Sequence, residues 1–317
     1  MVRLLAMIAI LFVGLPVAAQ PAAEPPKAEG SAPEAPEGLT LEFDIPYAAT
    51  DNPRQRLDLY RPKAPSSDQP LPVVVVIHGA FQNPSKKSGL GFAVDLAGSG
   101  DYAVVAIGYR LSDEVKWPAQ IHDCKAAIRW IRVNARKYNL DGDHIGVIGP
   151  SAGAHLASLL GTTGDVAALE GKLGEHLLYS SRVSCVVDLF GPTNLLTLGG
   201  NHDRANSPES RLIGGPLQER RELAQQASPM THVTRNDPPF LIIHGTKDPN
   251  VPFDQAATFA AALETAGASA TLVPVEGGLH GNFKTPEVQQ RYRTFFDKYL
   301  RGKDVEVSST AIQFKPQ

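Results

Sequence analysis

Five consecutive β-branched residues, Val73-Val74-Val75-Val76-Ile77, place the tightest limit on what this chain can fold into. A strand with one wet face must carry polar residues at every second position. A run with no polar break is a strand buried on both faces, as in a parallel sheet covered by helices. Residues 102–107 have the same character, and further strands are predicted at 144–148, 183–190, 239–243 and 270–275. Residues 41–47 and 55–60 read as an opening antiparallel pair. Helical patterns alternate with these runs. Ile121, Cys124, Ile128, Ile131 and Ala135 recur three or four apart on one face, leaving Lys125, Arg129 and Arg132 for the other. Residues 253–266 predict a helix stopped by Gly267. Thr285 as N-cap and Pro286 at the first position open the last helix, whose face of Val288, Tyr292, Phe295 and Tyr299 should pack on the sheet.

Strand-helix alternation with right-handed crossovers predicts an α/β fold: a doubly wound, mostly parallel sheet with helices on both faces. Residues 161–181 and 199–232 are longer than ordinary connections and are the candidates for a small lid over the carboxyl edge. The catalytic-size domain is expected to span residues 39–302, with 303–317 as a C-terminal tail. Ahead of it, Arg3 and the apolar run to Val17 read as an export signal with cleavage after Ala19, so an exported location, periplasmic or secreted, is expected. The run is short of the roughly 20 apolar residues of a spanning helix, so no stable membrane insertion is expected after cleavage. Residues 20–38, rich in Pro, Ala and Glu, form a linker that cannot bury enough apolar surface to order itself. The chain of 317 residues carries a net charge of only -3 with no basic block, which speaks against nucleic acid as partner. Its two cysteines, Cys124 and Cys185, read as separate buried thiols, although an exported chain could pair them.

The chemistry is concentrated in a few short segments. Gly149-Pro150-Ser151-Ala152-Gly153 follows a predicted strand and precedes a helix at 152–160. In that context the pentapeptide is a sharp turn that lifts a serine hydroxyl clear of the sheet, with small residues required two before and two after it. Ser151 is therefore the candidate nucleophile, and a serine needs a base within reach. His280, in Gly278-Leu279-His280-Gly281 between the last strand and the last helix, supplies it. Asp248, just after the strand at 239–243, is the candidate acid that would hold the imidazole tautomer. Asp188 is a rival, but its place inside a strand end favours a structural role. Donors for a developing oxyanion, each worth about 3 kcal/mol of barrier, are expected from the Ala152 N–H and from Ala80 or Phe81 in the loop His78-Gly79-Ala80-Phe81. His78 reads as a loop-orienting residue. His122, His155 and His176 are placed on helices, and His144 and His244 at strand ends in structural roles. No motif for a metal, a nucleotide or another cofactor is present in the sequence.

These segments resemble the feruloyl and acetyl xylan esterase branch of the α/β-hydrolases, close to the hormone-sensitive-lipase-like esterases. The resemblance rests on Gly149-Pro150-Ser151-Ala152-Gly153, Tyr109-Arg110-Leu111-Ser112, Pro118-Ala119-Gln120, Ser207-Pro208-Glu209-Ser210 and the run from Pro238 through Asp248 to Val251-Pro252. It implies a Ser151, Asp248, His280 triad. It further implies hydrolysis of short acyl esters, acetyl or feruloyl, on a small-molecule or polysaccharide alcohol. Two positions depart from the family pattern: Ala80 stands where a glycine is usual, and Pro150 where many relatives carry an acid. Amide or peptide hydrolysis on the same fold, as in arylformamidases, and a non-catalytic binding protein are the competing readings.

Overall fold

The computed structural model describes residues 34–82, 90–281 and 285–314. The export signal and most of the predicted linker lie outside them. Among the described residues nine strands join in one sheet: β1 (Leu39–Pro46), β2 (Arg56–Pro62), β3 (Leu71–Ile77), β4 (Ala103–Ile107), β5 (Leu140–Pro150), β6 (Cys185–Leu189), β7 (Phe240–Gly245), β8 (Ala270–Glu276) and β9 (Ile312–Gln313). Their order is β1-β2-β4-β3-β5-β6-β7-β8-β9. β2 is antiparallel to both β1 and β4, and every other pairing is parallel.

The β-branched run of β3 works as its composition requires. Val73, Val75 and Ile77 enter one core and Val74 and Val76 the other, all at most 1% exposed. The first core is closed by α2 (Ala119–Tyr138), α3 (Ala152–Thr162) and α6 (Asp254–Ala266), through residues such as Ile121, Leu156 and Phe259. The second is closed by α1 (Leu90–Ala97) and α7 (Pro286–Arg301), through Leu96, Val288 and Phe295. Gly267 ends α6 at φ +90°, and the Thr285 hydroxyl accepts from the Val288 N–H to open α7. From β3 the chain goes first to β4 on one side and then to β5 on the other. The loops leaving β3 and β5 therefore lie side by side at the carboxyl edge, the crevice where doubly wound sheets bind ligands.

Four expectations need correction. Lys125 and Arg129 are not on a solvent face: they are 0% and 2% exposed. The connection at residues 163–184 covers them. Glu170 pairs with both cations, the Lys125 ammonium donates to the Thr163 carbonyl at 2.7 Å, and Arg129 reaches the Leu173 carbonyl at 3.1 Å. The same connection is no lid over the carboxyl edge. An 11-residue α3 is about 16 Å long at 1.5 Å per residue. Starting at the carboxyl end of β5, it delivers the chain to the amino edge, where β6 begins. The sheet does not end at Gly302, because Val275 of β8 pairs with Ile312 in the segment read as a tail. Finally, His176 lies in an irregular stretch rather than on a helix.

The second long connection does reach the carboxyl edge. It carries α4 (Pro208–Ile213) and α5 (Arg221–Gln226). The Trp117 backbone N–H donates to the Leu212 carbonyl at 2.9 Å, and its indole N–H to Gln226 at 2.8 Å. Cys124 and Cys185 are free and buried in opposite cores, with the sheet between them, and burial pushes both thiols up.

Candidate active site

β5 runs through Pro150, and α3 starts at Ala152, so Ser151 alone makes the reversal. It does so at φ +53°, ψ -120°, a conformation rare for a residue with a Cβ and costing of order 1–3 kcal/mol. The turn is held from both sides. The Ser151 N–H donates to the Leu189 carbonyl at 2.8 Å, and its carbonyl accepts from the His155 N–H at 3.0 Å. The small residues flanking it are a steric necessity. A Cβ at Gly153 would stand 2.1 Å from the Ile77 carbonyl oxygen, and one at Gly149 would stand 2.4 Å from the Gly153 carbonyl carbon.

His280 and Asp248 converge on this serine from the loops after β8 and β7. The His280 Nε2 lies 2.9 Å from Ser151 Oγ, and its Nδ1 lies 2.8 Å from Asp248 Oδ2. Because Asp248 is a carboxylate, Nδ1 carries the proton and donates it, leaving Nε2 free to accept from the hydroxyl. The other oxygen, Asp248 Oδ1, accepts from the Asn250 and Val251 N–H groups at 2.8 and 2.9 Å. Burial pushes the Asp248 carboxyl up, but hydrogen bonds from His244, His280, Val251 and Asn250 outweigh it and hold the group well below the usual carboxylate range. A permanently ionised acid behind the imidazole is what the stabilisation of an imidazolium requires.

The loop after β3 lies against this turn. A Cβ at Gly79 would be 3.0 Å from the Pro150 carbonyl oxygen. Ala80 adopts φ +58°, so the position where a glycine is usual keeps a glycine-like backbone despite its methyl group. Three carbonyls of the loop have partners within the protein. The Tyr109 hydroxyl lies 3.1 Å from those of both His78 and Ala80, and the Ser112 N–H donates to that of Phe81 at 2.9 Å. In a trans peptide the N–H points opposite to its carbonyl, which leaves donors of this loop for another acceptor. Ala152, first residue of α3, has an N–H that no carbonyl of its own helix can reach. His78 stacks on Tyr109 at 4.1 Å, and burial pushes its imidazole down to about 4. It is a neutral loop-orienting residue rather than a base.

Sequence reasoning gave His244 only a strand-end role. Its Nε2–H donates to the Val251 carbonyl at 2.8 Å and lies 3.3 Å from Asp248 Oδ2, so it touches the same carboxylate oxygen as His280. The spacing His244 to Asp248, four residues across a strand end, is the only trace of this in the chain. Asp188 is held elsewhere: it accepts from the Ser158 hydroxyl at 2.6 Å and the Gly191 N–H at 2.8 Å. His202 ties the second insertion to the acid loop, with Nδ1 3.0 Å from Glu209 and Nε2 2.7 Å from the Asn250 carbonyl.

The family match takes in the chain from β2 through most of α6. Residues 57–263 match the BD-FAE family. Esterase LipC of Mycobacterium tuberculosis is 32% identical over 242 residues, 73% of this chain and 58% of its own length. The chain spans about half the length of the curated relatives it matches. A truncated form of a carbohydrate esterase from gut microbiota superposes with a TM-score of 0.79 at 34% identity, covering 84% of this chain and 99% of that one. A bifunctional GH43-CE protein of Bacteroides eggerthii does so at 0.76 and 37%, covering 84% and 36%. With more than half of its length matched and the sheet order described above, the chain belongs to the BD-FAE family and has the α/β-hydrolase fold.

Proposed function

We propose that the protein is a serine hydrolase of carboxylic esters, acting through Ser151, His280 and Asp248 on short acyl groups, acetyl or feruloyl, carried by carbohydrate. The observation that carries this reading is the continuous hydrogen-bond chain from Ser151 Oγ through His280 to Asp248 at the carboxyl edge of the sheet. The carbohydrate part rests on the likeness to the gut carbohydrate esterase.

Ser151 Oγ attacks the ester carbonyl as its proton passes to His280 Nε2. The tetrahedral oxyanion takes hydrogen bonds from the Ala152 N–H and from the N–H of Ala80 or Phe81. The imidazolium, held at Nδ1 by ionised Asp248, then returns the proton to the leaving alcohol as the C–O bond breaks. Water, deprotonated by the same nitrogen, attacks the acyl-serine and releases the acid.

The test is hydrolysis of a p-nitrophenyl ester series, methyl ferulate and acetylated xylo-oligosaccharides by the wild type and by Ser151→Ala. Turnover of acetate or ferulate esters that falls by about 10⁴-fold or more in the variant is expected. Folded protein without ester turnover would overturn the reading, and activity surviving in Ser151→Ala would remove the serine from its role. Release of acetate from the oligosaccharide, compared with the simple ester, decides the carbohydrate part.

A further inference from the structure

The loop that follows β6 holds a bulky residue in a backbone conformation that its neighbours have to enforce. Phe190 sits at φ +50°, in the left-handed region that glycine occupies freely and a large side chain avoids. Strain of this kind persists only where the surroundings over-determine it, and it gathers at working sites. Here the restraints are visible. Leu189, the preceding residue, accepts the Ser151 N–H at 2.8 Å, and the Phe190 N–H donates to the Ile243 carbonyl at 3.0 Å. The turn is thus pinned between the nucleophile's strand and the acid's strand. On its other side the buried Asp188 carboxylate takes the Gly191 N–H at 2.8 Å and is itself fixed by Ser158 from α3.

The strained turn delivers the Phe190 ring to the base. Its centroid lies 5.0 Å from that of the His280 imidazole, with the planes at 73°, and the residue is only 7% exposed. The ring also covers the next residue: a Cβ on Gly281 would lie 3.9 Å from Phe190 Cζ. The hydrogen bonds to Ser151 and Asp248 fix the two nitrogens of His280, but they do not by themselves stop the side chain from swinging out when the serine proton is transferred. An apolar ring packed edge-to-face on the imidazole closes that side.

We infer that Phe190 is a positioning residue for the acyl transfer, its ring locking the His280 imidazole in the rotamer that reaches both Ser151 and Asp248, with Asp188 fixing the turn that presents it. Asp188, the rival acid by sequence, so acquires a role one step removed from the chemistry. The inference rests on the proposed triad reaction.

The experiment compares Phe190→Leu, which keeps an apolar side chain without the flat ring, with Phe190→Tyr, which keeps the ring. It has two readouts in the full chain. The first is kcat and KM on p-nitrophenyl acetate. The second is the downfield proton resonance of the His280 Nδ1–H bonded to Asp248, identified by its loss in His280→Gln. Misplacing a general base is costly in rate, so Phe190→Leu is expected to lower kcat about tenfold or more with KM nearly unchanged. The resonance should broaden, and Phe190→Tyr should restore both. A kcat in Phe190→Leu within about twofold of wild type, with a sharp resonance, overturns the inference; so does a loss confined to KM, which would make the ring part of the substrate pocket. Equal losses in Leu and Tyr also overturn it. Where thermal unfolding shows that Phe190→Leu has not folded, Phe190→Met takes its place. A wild type without ester turnover defeats the function proposed above, while the resonance still decides the role of Phe190.

Discussion

Asp248 separates what the charge of a residue does from what its shape does. One carboxylate oxygen faces His280 and His244, and the other caps the Asn250–Val251 turn. Asparagine keeps an acceptor for the turn but has no charge for an imidazolium. Asp248→Asn is therefore expected to leave the thermal midpoint within a few degrees of wild type and to lower kcat on a short ester by about 10⁴-fold. A variant that keeps most of its kcat would show that another group supports the base. Ser151, His280 and Asp248 are legible in the sequence because each is flagged by its own stretch of chain: a Gly-flanked turn after a strand, a Gly-rich loop before a helix, an acid just past a strand. Phe190 and His244 are not. What they touch is set by the meeting of β6, β7 and the loop after β8, and neighbouring residues in sequence say nothing about it.

At the scale of elements, periodicity locates most of the sheet and the large helices but misjudges which faces meet water. The α2 pattern marks an apolar stripe and correctly predicts that it packs on the sheet. It cannot reveal that residues 163–184 fold back over the opposite face and bury two cations. Nor does a two-residue β9 carry any pattern of its own. The burial of Lys125 and Arg129 turns Glu170 into the counterion on which that whole connection depends. Removing one partner of a buried ion cluster leaves charge uncompensated, typically at 3–5 kcal/mol. Glu170 is 31% exposed, so water offsets part of that cost; about 2 kcal/mol is expected for Glu170→Gln in urea unfolding. The side chain of Glu170 bonds Lys125, Arg129 and Ser181 rather than Ser151, His280 or Asp248, so turnover per folded molecule should be unchanged. A fall in kcat without a fall in stability would mean that this connection is coupled to the site.

For the molecule as a whole, the acid side of the stability curve is set by histidines buried without charge. Burial pushes both His78 and His155 down to about 4, and His155, wedged between Phe81 and Trp117, donates its Nε2–H to the Ala227 carbonyl at 2.6 Å. Its place four residues after Ser151 and under the second insertion joins the two halves of the site. In the unfolded chain these imidazoles titrate near 6.5. Between pH 6.5 and 4 the unfolded state binds protons at these positions that the folded state refuses, so their contribution to stability falls as pH falls and levels off below 4. Each histidine contributes about 3 kcal/mol to that fall at 1.36 kcal/mol per unit. His202 works in the opposite sense, since its bond to Glu209 raises its pKa and its contribution grows on acidification. The low pKa of Asp248 costs stability only below the ordinary carboxylate range. Comparing wild type with His155→Gln cancels these other groups. Urea unfolding at pH 7 and pH 4 should show the wild type losing about 3 kcal/mol more than the variant over that interval. Parallel losses would mean that His155 takes up its proton inside the fold, opening the contact between α3 and the insertion without unfolding the sheet.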